Sequence, residues 1–65
     1  MSDIATWFVS YRRYEDGPCC TNLVHARCLA NIDREFADCA WYMMGWAPRE
    51  RVEEARAKGM PERWL

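Results

Sequence analysis

The sequence predicts a small α+β domain in which a β-hairpin precedes two helices. β-Branched and aromatic residues crowd the first fifteen positions, a Gly-Pro turn follows, and the second half spaces its apolar residues three and four apart. With 65 residues, the chain has room for one domain, residues 1–65, whose core buries only about 60% of the unfolded surface. The competing prediction is an all-α three-helix bundle.

The predicted hairpin joins a strand over residues 4–14 to a second strand over residues 22–30 through a loop around Gly17. A lone strand leaves its backbone groups unpaired, which is why the first strand requires the second. The second strand is expected to point Val24, Ala26, Cys28 and Ala30 to the core and His25 and Arg27 outward. Residues 4–14 also fit a helix, and residues 22–30 could extend the next helix backward, which gives the all-α alternative.

The central helix is predicted over residues 32–46. Its apolar residues recur at helical spacing and form one stripe: Ile32, Phe36, Cys39, Ala40, Met43 and Trp46. Asn31 suits the N-cap, and Gly45 suits the left-handed residue that ends a helix.

A second, shorter helix is predicted over residues 48–58. Its acidic residues come early and its basic residues late, as the helix dipole favours, and Gly59 is the expected terminator. Val52 and Ala55 are expected to pack against the central helix, with a C-terminal clasp that folds back: Met60, Trp64 and Leu65.

The composition argues against several classes of partner. A net charge of −1 gives no basic excess for phosphates, so direct nucleic-acid binding is not expected. No apolar run approaches the roughly 20 residues that cross a bilayer, so no membrane association is expected. The N-terminus does not resemble a signal peptide, and we therefore expect a cytoplasmic protein with reduced thiols, Cys28 and Cys39 being buried.

One set of residues has the chemistry of a zinc site: Cys19, Cys20, His25, Cys28 and Cys39. Because no Cys-x-x-Cys pair is present, we predict no metal and no cofactor, and keep a zinc-stapled or self-associating module as the alternative. A cysteine nucleophile would have only His25 as its base, and so short a chain scarcely encloses a pocket. We predict that the protein is not an enzyme.

The candidate binding residues lie on and beside the central helix. Trp41, Tyr42 and Met44 fall outside its apolar stripe and are therefore either covered by the hairpin and the C-terminal clasp or exposed as a patch. If they are exposed, they would form the apolar anchors of a protein interface. Asp33, Glu35 and Asp38 are expected to steer that surface toward a basic partner.

The segments Phe8-Val9-Ser10-Tyr11, Asp16-Gly17 and Thr21-Asn22-Leu23-Val24 resemble small phage and bacterial proteins that begin with a hairpin and continue into a helix. The resemblance covers the first third of the chain and is one of kind, to mobile-element inhibitors such as anti-CRISPR proteins. It implies a non-enzymatic inhibitor that blocks a bacterial defence complex. We expect the chain to be a monomer or a weak homodimer. If that complex binds nucleic acid, the acidic residues would compete for its phosphate-binding side chains. No functional residue is transferred by it.

Overall fold

The computed structural model describes residues 3–65 and contains four strands and two helices. In chain order these are β1 (Ala5–Arg12), β2 (Cys19–Ala26), α1 (Leu29–Glu35), β3 (Trp41–Trp46), α2 (Arg49–Ala57) and β4 (Glu62–Trp64). The predicted α+β class and the opening hairpin are confirmed, and the all-α alternative is wrong.

The four strands form one mixed sheet in the order β3-β1-β2-β4. β1 is antiparallel to both of its neighbours, so that Phe8 lies between Leu23 of β2 and Gly45 of β3. β4 runs parallel to β2. β3 and β4 are therefore the two edges of the sheet.

Each face of the sheet carries one helix and one small core. On the face that we call the α1 face, Val9 and Val24 are buried against Ile32 of α1 and against Phe36, the C-cap of that helix. On the opposite, α2 face, Leu23 is buried against Val52 and Ala55 of α2. The alternation of side chains along a strand lets the same strands supply both cores, since neighbours in sequence point to opposite faces.

The second helix forms close to its predicted position. Pro48 is its N-cap, and Gly59 follows its end with φ of 84°. In that conformation Gly59 and Met60 donate their N–H groups to carbonyls of the last turn, at 3.0 and 3.1 Å. However, α2 packs on the sheet, on the face opposite α1, and not against the first helix as predicted.

The predicted central helix over residues 32–46 is wrong beyond Glu35, and the helix begins at Leu29, before its predicted start. α1 stops at Glu35, and the chain turns and re-enters the sheet as β3. Asn31 lies inside α1, whose N-cap is Cys28, and Gly45 is a strand residue. Pairing with β1 decides the outcome, because the aromatic residues of this segment fit a pleated surface as well as a helix.

Three smaller expectations also need correction. The second strand ends at Ala26, and as a result Cys28 and Ala30 are exposed and not in the core. His25 is buried on the α2 face, not outward. The C-terminal clasp contains a strand, β4, and Leu65, the residue after it, donates its backbone N–H to the carbonyl of His25 at 2.9 Å.

Candidate protein-binding edge

The most unusual feature of the surface is the edge strand β3, Trp-Tyr-Met-Met-Gly-Trp. It pairs with β1 along all six of its residues, and within residues 3–65 no strand pairs with its other side. Natural proteins protect such edges with Lys, Pro or an inward-pointing charge. β3 contains none of these.

Side chains on both faces of β3 reach solvent. Trp41 and Met43 lie on the α2 face with exposed fractions of 45% and 57%, and Trp46 lies on the α1 face with 65% exposed. Gly45, also on the α2 face, has no atom within 4 Å of the place where a Cβ would stand. The edge is therefore flanked by large apolar side chains and by one empty position.

Tyr42 and Met44 point to the α1 face and are half-buried against the core. The Tyr42 ring stacks on Phe36 at a centroid distance of 6.2 Å, and its hydroxyl donates to Asp33 Oδ1 at 2.7 Å. That hydrogen bond raises the pKa of Tyr42, with smaller contributions from burial and from the Asp33 charge. Of the three predicted anchors, Trp41 is the one that the structure leaves largely exposed.

The three predicted steering acids do not form one free surface. Asp33 accepts the Tyr42 hydroxyl, and Glu35 pairs with Arg63 at 3.3 Å. Asp38 is exposed in the turn that follows α1. Two of the three carboxylates thus have partners inside the protein, and Asp38 is the best placed to meet a partner's charge.

An open cleft of about 490 Å³ adjoins the beginning of β3. It is lined by Arg12, Glu15, Cys19, Ala40 and Trp41. Its walls combine an indole, a guanidinium and a carboxylate. A partner's side chain could enter it beside Trp41.

At the opposite edge, a chain of hydrogen bonds fastens β4 to the sheet. The His25 ring lies between Thr6 Oγ1 at 2.9 Å from Nδ1 and Glu62 Oε1 at 2.7 Å from Nε2, and Arg56 holds both Glu62 oxygens at 2.8 Å. The hydrogen bonds from Arg56 and then from His25 lower the pKa of Glu62 to about 2.

This chain has the order hydroxyl, imidazole and carboxylate, which nucleophilic hydrolases also use. The imidazole is only 4% exposed and stacks under Trp64 at a ring distance of 4.0 Å. A substrate cannot reach a ring that is enclosed in this way. The network joins four elements: β1, β2, α2 and β4. We interpret it as a structural fastening.

The cysteines are free thiols and are dispersed. Cys19, Cys20 and Cys28 are exposed, and Cys39 is half-buried against the α1-face core. In the part of the chain that the structure describes, no three His, Cys, Asp or Glu side chains are grouped to hold a metal ion. Neither helix in residues 3–65 has the length and apolar character needed to cross a membrane.

The comparisons with known proteins add no relative. No family model, no curated protein and no solved structure matches this chain.

Sequence reasoning missed Met43 and Trp46, which it had placed in the core stripe of a helix. The segment Trp41–Trp46 carries no alternation of apolar and polar residues, so its periodicity alone does not separate strand from helix. The pairing with β1 separates them, because it places Trp41 and Met43 on one face of a strand and Trp46 on the other.

Proposed function

We propose that the protein is a non-enzymatic binding module, an inhibitor or adaptor, whose protein partner docks on the free edge of β3. One observation carries the proposal: a six-residue edge strand without a charge or a proline has three large apolar side chains exposed beside it.

Such an edge binds by strand addition. Main-chain hydrogen bonds to an added strand supply affinity, and contacts with alternate side chains supply specificity. Trp41 and Met43 would contact the partner on one face of the extended sheet and Trp46 on the other. Aromatic residues are the commonest hot spots of protein interfaces, and a partner would remove these indoles from water.

The narrower form of the proposal is a phage-encoded inhibitor of the anti-CRISPR kind that blocks a bacterial defence complex in the cytoplasm of the host cell. Its support is the resemblance of kind and an exposed acidic residue, Asp38, that could approach a basic target surface. Charge reversal at Asp38 should then slow association at low salt. An unchanged association rate would contradict the steering.

The experiment is affinity capture from bacterial lysate with three tagged proteins: the wild type, Met43→Lys and Leu29→Lys. Met43 and Leu29 are similarly exposed apolar residues, 57% and 46%, but Leu29 lies on α1, away from the β3 edge. We expect the wild type and Leu29→Lys to retain the same stoichiometric partner and Met43→Lys to lose it. Retention by all three would contradict docking on β3.

A further inference from the structure

We propose that, in the absence of its partner, β3 pairs with β3 of a second copy, antiparallel and about a two-fold axis at Met43. The inference rests on the proposed function, because it assigns an occupant to the same edge. The outcome would be a continuous eight-stranded sheet from two four-stranded sheets.

The backbone of β3 can form such a ladder. Ala47, the next residue, donates its N–H to the carbonyl of Thr6 at 3.0 Å, which extends the β1–β3 pairing by one position. Because hydrogen-bonding direction alternates along an antiparallel strand, the backbone groups of Tyr42, Met44 and Trp46 point away from β1. Those groups face the free edge and need a partner.

The side chains select the register. In a continuous sheet only residues of the same face lie opposite each other, so the two-fold axis passes by a residue, and Met43 and Met44 are the two residues at the centre of β3. An axis at Met43 places Trp41 opposite Gly45, whose α2-face side is empty. It also places Tyr42 opposite Met44, whereas Trp46 extends past the paired segment toward Ala40, which lies outside β3 and donates its N–H to the carbonyl of Arg13 at 3.3 Å.

An axis at Met44 would instead oppose Trp46 to Tyr42, which is already packed on Phe36 and bonded to Asp33. The Met43 register avoids this crowding. It fills the open position over Gly45 from both copies at once. We therefore assign the axis to Met43.

The pairing closes and does not propagate. β4, the other edge, has only three residues, of which Glu62 and Arg63 are charged and engaged in ion pairs. A two-fold contact uses β3 of both copies and leaves two short, charged edges, so it gives a dimer and no fibre. With a net charge of −1 on each chain, repulsion between copies is small.

The proposed interface is small, so the second copy can dissociate and be replaced by a partner. Each copy contributes a six-residue strand and three partly exposed side chains, which places the contact at the low end of specific interfaces. A dissociation constant in the micromolar range, on the order of 10–100 µM, is expected for such a contact. A partner's strand could then displace the second copy.

The test relies on the proposed register, in which Met43 of one copy lies directly opposite Met43 of the other. Sedimentation of the wild type and of Leu29→Lys up to about 500 µM should show a monomer–dimer equilibrium. Met43→Lys and Met43→Glu, each placing like charges directly opposite, should each lose at least tenfold in dimer affinity. An equimolar mixture of the two variants should restore a heterodimer.

Three results would overturn the inference: a wild type that stays monomeric, a dimer that tolerates both Met43 variants, or variants whose mixture stays monomeric although each is folded by circular dichroism. The measurement uses purified protein alone. Its failure therefore leaves the lysate experiment to decide the proposed function, and a partner lost in Met43→Lys would still establish the β3 edge.

Discussion

Among the side-chain hydrogen bonds within residues 3–65, one made by Glu62 spans the longest stretch of sequence. Its carboxylate accepts hydrogen bonds from His25 of β2, 37 positions away, and from Arg56 of α2. These two partners hold the pKa of Glu62 at about 2, below its ordinary 4.5. A lowered pKa means that the stabilisation is complete above about pH 4.5 and is lost as the pH falls toward 2.

Glu62→Gln should therefore flatten the acid side of the stability profile. The neutral amide cannot titrate, so the variant should be less stable than the wild type near neutral pH and should approach it near pH 2. Urea unfolding followed by circular dichroism across this range measures the difference. Glu15→Gln, at an exposed carboxylate in the hairpin loop, is the control and should follow the wild type. Parallel profiles for Glu62→Gln and the wild type would contradict the assignment.

Single residues were predicted best where their chemistry acts locally. Gly59 was predicted as the helix terminator because glycine adopts the left-handed conformation without steric cost, and Gly59 has a φ of 84°. His25 was misplaced because its acceptor, Glu62, and its stacking partner, Trp64, belong to a strand near the other end of the chain. No local pattern in the sequence carries that pairing.

At the level of elements, two glycines make a matched comparison. Gly45 lies in β3 with open space at its Cβ position, whereas Gly59 ends α2 with φ of 84°. Gly45→Ala should raise the free energy of unfolding by about 0.5–1 kcal/mol, because a strand glycine loses more entropy on folding than alanine does. Gly59→Ala should lower it by about 1–2 kcal/mol, because alanine is strained in the left-handed region.

Chemical denaturation of both variants measures these changes, and their opposite sign serves as an internal control. Equal effects would mean that β3 or the end of α2 differs from the described geometry. In the proposed dimer, Gly45→Ala would add a methyl group beside Trp41 of the second copy and could change dimer affinity. The two variants are therefore compared at concentrations where the wild type is monomeric.

The elements that were predicted correctly begin or end at glycine and proline residues, which mark their boundaries in the local sequence. Gly17 and Pro18 separate β1 from β2, and Pro48 and Gly59 bracket α2. β3 was not predicted because five apolar residues continue one helical spacing: Ile32, Phe36, Cys39, Met43 and Trp46. Met43 and Trp46 fit that spacing by chance, since both lie in a strand. Short apolar runs do not distinguish strand from helix by periodicity, and the choice falls to long-range pairing with β1.

The same long-range dependence limits what could be foreseen of the binding surface. Trp41, one of the predicted anchors, is exposed, but the position of β3 at the edge of the sheet follows from the strand order β3-β1-β2-β4. That order places the most aromatic strand outermost. Because the strand order determines which strand forms the edge, the spacing of residues in the sequence does not predict this surface.

For the molecule as a whole, the small core makes stability depend on association. Within residues 3–65, nine apolar residues are buried, and they are divided between two faces of the sheet. A domain of this size has little stability to spare, so a contact that forms only in the folded state should be visible as added stability. The melting temperature should therefore rise with protein concentration.

The size of that rise follows from the dimer equilibrium. Each tenfold increase in concentration above the dissociation constant adds about 0.7 kcal/mol per chain, half of the 1.4 kcal/mol that a factor of ten represents. For a domain of this length the melting temperature should then increase by roughly 3–6 °C per decade of concentration. Differential scanning calorimetry of the wild type and of Leu29→Lys should show this rise. In Met43→Lys the melting temperature should stay constant, because the charge at the two-fold axis removes the association without touching either core.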